Sequence, residues 1–217
     1  MKKILVLLIS TMPLMLFSQI DSTELYFKSV DNDDIRTICE LADIQIIKII
    51  CKDTLLKNKV FNFIIKEFKK GKIVSSDDLN ISNKVDKIPF VVNGDTMIHV
   101  VHMLEKAGFS EGIDSLLITI SGIYKNDIFK LYIQYPGIKF SKNLKGKKNY
   151  LLREAIKCSE NKIKVPVNKE YPILVYTPPF ADESSVQSYC ILVEENVEKW
   201  YEKFKVKHFI VIYLEIK

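Results

Sequence analysis

Between Leu116 and Tyr124 apolar side chains recur at every second position, with Leu116, Ile118 and Ile120 set against Leu117, Thr119 and Ser121. The segment from Ile128 to Gln134 runs back after the polar Lys125-Asn126-Asp127. Two such runs around a polar turn predict a β-hairpin. Ile44 to Cys51 is apolar on both faces except for Gln45 and Lys48, and Val206 to Ile216 is apolar on both faces as well. Runs of that kind predict strands well inside a sheet. Val60 to Lys70 fits both the helical and the strand period, but its β-branched and aromatic residues, followed by Lys70-Gly71-Lys72, favour a strand. Shorter strands are expected at Ile88 to Val92, Lys162 to Val167, Tyr171 to Tyr176 and Tyr189 to Val193. Pro166 and Pro172 are expected to keep their strands at an edge, because proline cannot donate to a ladder.

The helical period appears in four places. Asp33 and Asp34 precede Ile35, Ile38, Cys39 and Leu41, an acidic cap ahead of one apolar face. Asp95 stands before Met97, Val100, Val101, Leu104 and Ala107, and Gly108 follows as a stop, so a helix is expected over 96–107. Tyr150 to Lys157 carries Leu152, Ala155 and Ile156, and Val197, Trp200, Tyr201 and Phe204 follow the i, i+3, i+4, i+7 spacing. The polar stretches 75–87 and 139–148 are expected to be loops. Hairpins with interspersed helices and no regular βαβ alternation predict an α+β fold, a mostly antiparallel sheet with a few short helices packed on it.

The chain begins Met1-Lys2-Lys3, and Ile4 to Phe17 is apolar except for Ser10, Thr11 and Pro13. A basic start followed by a short apolar run is the composition of a secretory signal. It falls short of the ~20 apolar residues that a membrane span requires. Residues 1–18 are therefore read as a cleaved signal peptide and 19–217 as a single α+β domain, exported to the periplasm or the outside medium, with no stable membrane anchor after cleavage. The chain carries 32 basic and 27 acidic residues. That balance is too even to imply a nucleic-acid partner, and none is expected.

Export gives the four cysteines a meaning, since an even number in an oxidising compartment suggests disulfides. Of the three pairings, Cys39 with Cys51 and Cys158 with Cys190 join neighbouring elements and are preferred. The competing reading is four small buried hydrophobes left reduced.

Candidate chemistry is sparse. Gly108-Phe109-Ser110-Glu111-Gly112 matches the nucleophile elbow of serine hydrolases, and Asp182 and His208 follow in the order a triad allows. An elbow needs a strand entering and a helix leaving, whereas here a helix is expected to end and a strand to begin. His99 and His102 would share one side of the 96–107 helix and could supply two metal ligands, although no third ligand stands at a useful spacing. Asp31-Asn32-Asp33-Asp34 lacks the glycine and terminal glutamate of a calcium loop. Lys139, Lys142, Lys145, Lys147 and Lys148 crowd beside Tyr135, Phe140 and Tyr150, a pattern that suits either a solvated loop or an anion-gripping patch. No phosphate-binding glycine loop occurs, and no cofactor is implied.

These features favour a non-catalytic exported protein that binds another macromolecule, a protein or envelope component, as an inhibitor, an immunity-type protein or an envelope accessory factor. The alternatives are an envelope hydrolase using Ser110 or a histidine-centred metal site, and a carrier of a small apolar ligand.

Overall fold

The computed structural model describes residues 22–53, 56, 59–79, 85–102, 115–135, 138–155, 160–181, 187–188 and 196–217. In chain order the first elements are β1 (Ser22–Lys28), α1 (Asp33–Leu41), β2 (Ile44–Cys51), β3 (Phe61–Lys69) and β4 (Lys72–Asp78). Next come β5 (Val85–Val92), β6 (Asp95–His102), β7 (Leu116–Lys125), β8 (Ile128–Tyr135) and β9 (Ile138–Lys145). The last are β10 (Leu151–Glu154), β11 (Lys162–Pro166), β12 (Tyr171–Thr177), β13 (Phe180–Ala181), β14 (Gln187–Ser188), α2 (Trp200–Phe204) and β15 (His208–Ile216).

Six strands form one sheet in the order β11-β1-β2-β7-β8-β9, and five form a second in the order β10-β12-β15-β3-β4. Pairing within both is antiparallel. The protein is thus mostly antiparallel sheet, and its helices are minor elements.

Local chemistry explains the hairpins. In Lys70-Gly71, Asn93-Gly94 and Asn126-Asp127 both residues have positive φ, and each pair joins strands whose flanking residues are direct partners. Two consecutive left-handed residues define the type I′ turn, whose twist matches that of paired strands. Asn93-Gly94 therefore corrects the first part of the helix expected over 96–107: Asp95 opens β6 instead of capping a helix, and 103–107 lie outside the described residues. The turn and the β-branched Thr96, Ile98, Val100 and Val101 outweigh the helical spacing of the apolar residues.

The inner faces of the two sheets meet in one core. The six-stranded sheet contributes Leu25, Ile49, Ile118, Leu131 and Val165, and the five-stranded sheet contributes Phe63, Ile65, Leu174, Ile212 and Leu214. Across this core the Tyr135 hydroxyl donates to the Phe61 carbonyl at 3.1 Å, and the Tyr135 and Phe63 rings meet edge to face at 5.8 Å.

The outer face of the five-stranded sheet is covered too over β3, β12 and β15, while the edge strand β4 stays exposed. Ile64, Phe68, Val175, Phe209, Val211 and Tyr213 pack under Val197, Trp200 and Val206. This double burial is why β3 and β15 read as continuous apolar runs, whereas β7 and β8, covered on one side, alternate.

Other expectations need correction. The segment 139–148 is largely strand β9, because Phe140 and Leu144 turn inward on alternate positions that the lysines obscure. Within the helix expected over 150–157, Leu151–Glu154 forms strand β10, since the Gln45 amide donates to the Tyr150 carbonyl at 3.4 Å and accepts from Leu152 N–H; Ile156 and Lys157 lie outside the described residues. The polar 75–87 stretch carries the end of β4 and the start of β5. Pro172 lies in an interior strand, and the ladder accommodates it with a register shift between Pro172 and Leu174.

The cap of α1 is Asn32, whose side chain accepts from Ile35 N–H at 3.0 Å, while Asp33 and Asp34 occupy the first turn. Its apolar residues do not pack on the sheet: Ile35, Ile38 and Leu41 are 48%, 62% and 84% exposed.

Cys39 and Cys51 are both free thiols. The expected bond between them is not formed. Cys51 lies at the far end of β2 from α1, roughly 23 Å along the strand from Ile44 at about 3.3 Å per residue, and is fully buried in the core. Cys158 and Cys190, like the Tyr189–Val193 strand expectation, lie outside the described residues.

Candidate functional site

Two regions concentrate polar chemistry, and the first surrounds His208. It opens β15 opposite Lys69 of β3, which brings its ring to Glu67 on one side and Tyr150 on the other. Nε2 stands 3.2 Å from Glu67 Oε1 and Nδ1 stands 3.2 Å from the Tyr150 hydroxyl.

A carboxylate only accepts, so the neutral ring places its proton on Nε2 and leaves Nδ1 as an acceptor. The Tyr150 hydroxyl has a single proton, which it donates either to Nδ1 or to the His208 carbonyl at 3.1 Å. Burial lowers the His208 pKa below its ordinary value; Glu67 counteracts this, while the charges of Lys69 and Lys147 add to the lowering. Burial draws the Glu67 carboxyl upward, but Lys69 at 2.9 Å and His208 outweigh it and hold the carboxyl below its usual range. Burial raises the Tyr150 phenol.

The order carboxylate, imidazole, hydroxyl is that of a proton relay. Here, however, the hydroxyl belongs to a buried phenol held protonated. Both ring nitrogens of His208 are occupied by Glu67 and Tyr150, which leaves none facing outward for a serine.

A cleft of about 340 Å³ opens beside this group. Lys147, Lys205 and Lys207 border it, Pro178, Pro179 and Phe204 form an apolar side, and Tyr150 and His208 also line it.

The second region is the outer face of the six-stranded sheet. Strand alternation puts Lys28, Lys48, Lys125, Lys130, Lys139, Lys145, Lys162 and Lys164 on this face, all exposed except the half-buried Lys48. Glu24 is the carboxylate on the same strand positions, and it is engaged by Lys162 at 3.0 Å and by the Tyr26 hydroxyl at 2.8 Å. One row crosses five strands, Lys28 to Lys48, then Thr119, Gln134 and Lys139, roughly 19 Å at the usual strand spacing.

Lys28 and Lys48 are direct cross-strand partners, and Asp31, 2.8 Å from Lys28 Nζ, offsets their repulsion. Between the lysines lies an apolar band of half-buried Ile44, Ile46, Ile50 and Ile123, with Leu117 more exposed. Tyr132 carries Lys139 at 4.2 Å and Lys130 at 5.2 Å over its ring.

Of the residues singled out from sequence, His208 is placed as described, while Ser110 and Asp182 lie outside the described residues. His99 and His102 are on β6, opposite Ile88 and Val85. The helical spacing that joined them is replaced by a strand. The lysine group is divided: Lys139 and Lys145 join the outer face, Lys142 turns inward to Asp77 at 3.2 Å, and Lys147 borders the cleft.

Sequence reasoning missed Glu67, and it set Tyr150 beside the lysines without its tie to His208; the two ties span 141 and 58 residues. It also missed Lys28, Lys48 and Lys130, which the alternation of their strands could have grouped.

No family model, curated protein or solved structure matches the chain. The functional reading therefore stands on this geometry.

Proposed function

We propose that the protein is an exported, non-catalytic binding protein that engages an acidic macromolecule, a protein or envelope component, through the outer face of its six-stranded sheet. The observation that carries this reading is the asymmetry of the fold. Both faces of the five-stranded sheet are buried at β3, β12 and β15, whereas the other sheet leaves an apolar band with lysines around it. A broad apolar surface with a polar rim is the usual form of an interaction site. Clustered lysines of one sign steer a partner of the opposite sign. An inhibitor, an immunity-type protein and an envelope accessory factor would all use such a face.

The hydrolase alternative has less support. Its base, His208, already faces Glu67 and Tyr150 with both ring nitrogens.

The test is affinity capture from envelope and culture fractions with the parent protein and two charge-reversal variants. Lys48→Glu/Lys130→Glu/Lys139→Glu alters the outer face, and Lys66→Glu/Lys203→Glu alters the other sheet and its covering segment. A partner held by the parent and the second variant but lost by the first supports the reading. Equal capture by all three refutes it, as does hydrolytic activity that disappears with His208→Ala.

A further inference from the structure

Independently of the sheet face, we infer that the cleft beside His208 is a binding site for a small organic anion with a flat apolar body, such as an aryl phosphate or aromatic carboxylate.

The cleft is built from two kinds of surface. Pro178, Pro179 and Phe204 offer apolar walls, and three lysines, Lys147, Lys205 and Lys207, line the same opening. None of these three lysines pairs with a carboxylate among the described residues. The volume, about 340 Å³, falls at the small end of ligand pockets, which run roughly 300–1,000 Å³ and combine apolar lining with a few convergent polar groups. It suits a single ring bearing an acid group.

The backbone places the lysines at some expense. Lys205 follows the last turn of α2 in the left-handed conformation, φ 57°, with its N–H on the Tyr201 carbonyl at 3.1 Å. That position ordinarily belongs to glycine, because a Cβ there is strained. A lysine at this point carries charge to the cleft where glycine would serve the fold better.

Lys207 stands two residues on, immediately before His208. The positive field reaches the ring itself, since the Lys147 charge contributes to lowering the His208 pKa. The carboxylate nearest to that ring, Glu67, is occupied by Lys69 and His208. An incoming anion thus meets cations first and the apolar wall beneath them.

Phenyl phosphate, inorganic phosphate and benzyl alcohol, each titrated into the protein by NMR and calorimetry, separate the contributions. Phenyl phosphate is expected to shift the resonances of Lys147, Tyr150 and residues 204–208, to bind about tenfold more tightly than either of the other probes, and to weaken as salt is added. Lys147→Glu/Lys207→Glu should raise its dissociation constant at least ~10-fold.

Lys205→Gly keeps the test independent of folding, because relief of the left-handed strain should leave the melting temperature equal or higher while affinity falls about threefold. The inference is overturned if phenyl phosphate produces no shifts at ~10 mM, if inorganic phosphate binds as well as phenyl phosphate, or if the lysine variants bind it unchanged.

Discussion

Replacing Gly122 with alanine tests how firmly the core behind the cleft is packed. A Cβ at this position would lie 2.0 Å from Phe129 Cζ and 2.6 and 2.7 Å from the neighbouring ring carbons. Carbon atoms rest at about 3.5–4.0 Å, so the ring would have to retreat by more than an ångström. It has nowhere to go. Phe129 is stacked on Tyr176 with centroids 4.0 Å apart and planes 16° apart, and Tyr176 leans on Tyr150 at 5.3 Å.

Overpacking a well-filled core costs about 1–3 kcal/mol. With the ring held on its far side, Gly122→Ala belongs near the upper end, about 2–3 kcal/mol. In a chain of this size that lowers the melting temperature by roughly 5–10 °C. Urea unfolding followed by far-UV circular dichroism, together with calorimetry, measures it.

Phe129→Leu should by itself cost about 1–2 kcal/mol through lost contacts. Because the shorter side chain makes room for the new methyl, the double variant should be better than the sum of the two by at least ~1 kcal/mol. A Gly122→Ala protein within about 0.5 kcal/mol of the parent, or strictly additive costs, would refute the steric argument.

Three further outcomes follow from the buried ionisable groups. The native pKa of His208 lies below its ordinary 6.5, so its contribution to stability is fully present above that value and is lost as pH falls toward the native one. Glu67, also lowered from an ordinary 4.5, contributes above that value and loses its contribution as pH falls through its native pKa, so both groups drive acid destabilisation. Glu67→Gln removes the partner that opposes the lowering, so the His208 imidazole should titrate at still lower pH by NMR; an unchanged or higher value would contradict the assigned contact. The Cys51 thiol, which burial pushes up, should resist a thiol reagent in the native protein and react fully in urea. Equally fast reaction of the folded protein would place it at the surface.

Much of the fold is legible locally. In β7 and β8 the side-chain alternation, and in Asn126-Asp127 the turn residues, act over two to eight neighbours, so the chain specifies that hairpin without reference to anything distant. The doubly apolar β2 and β15 likewise indicate interior strands. The errors share one cause. At 96–102, at 139–145 and at 151–154 the local pattern admits two conformations, and a partner elsewhere decides: β5 across its turn, the β8 ladder, and the Gln45 side chain together with the β12 ladder.

The site divides in the same way. Sequence by itself determined the lysines, the aromatic residues and the isolated histidine. Tertiary structure alone decided that Glu67, Tyr150 and His208 meet, that Lys147 joins Lys205 and Lys207 at one cleft, and that the six-stranded sheet keeps its outer face open. Pairing register and face coverage are set by residues far apart in the chain. A strand's alternation shows that it has two faces, but only the packed sheets determine which face meets the core.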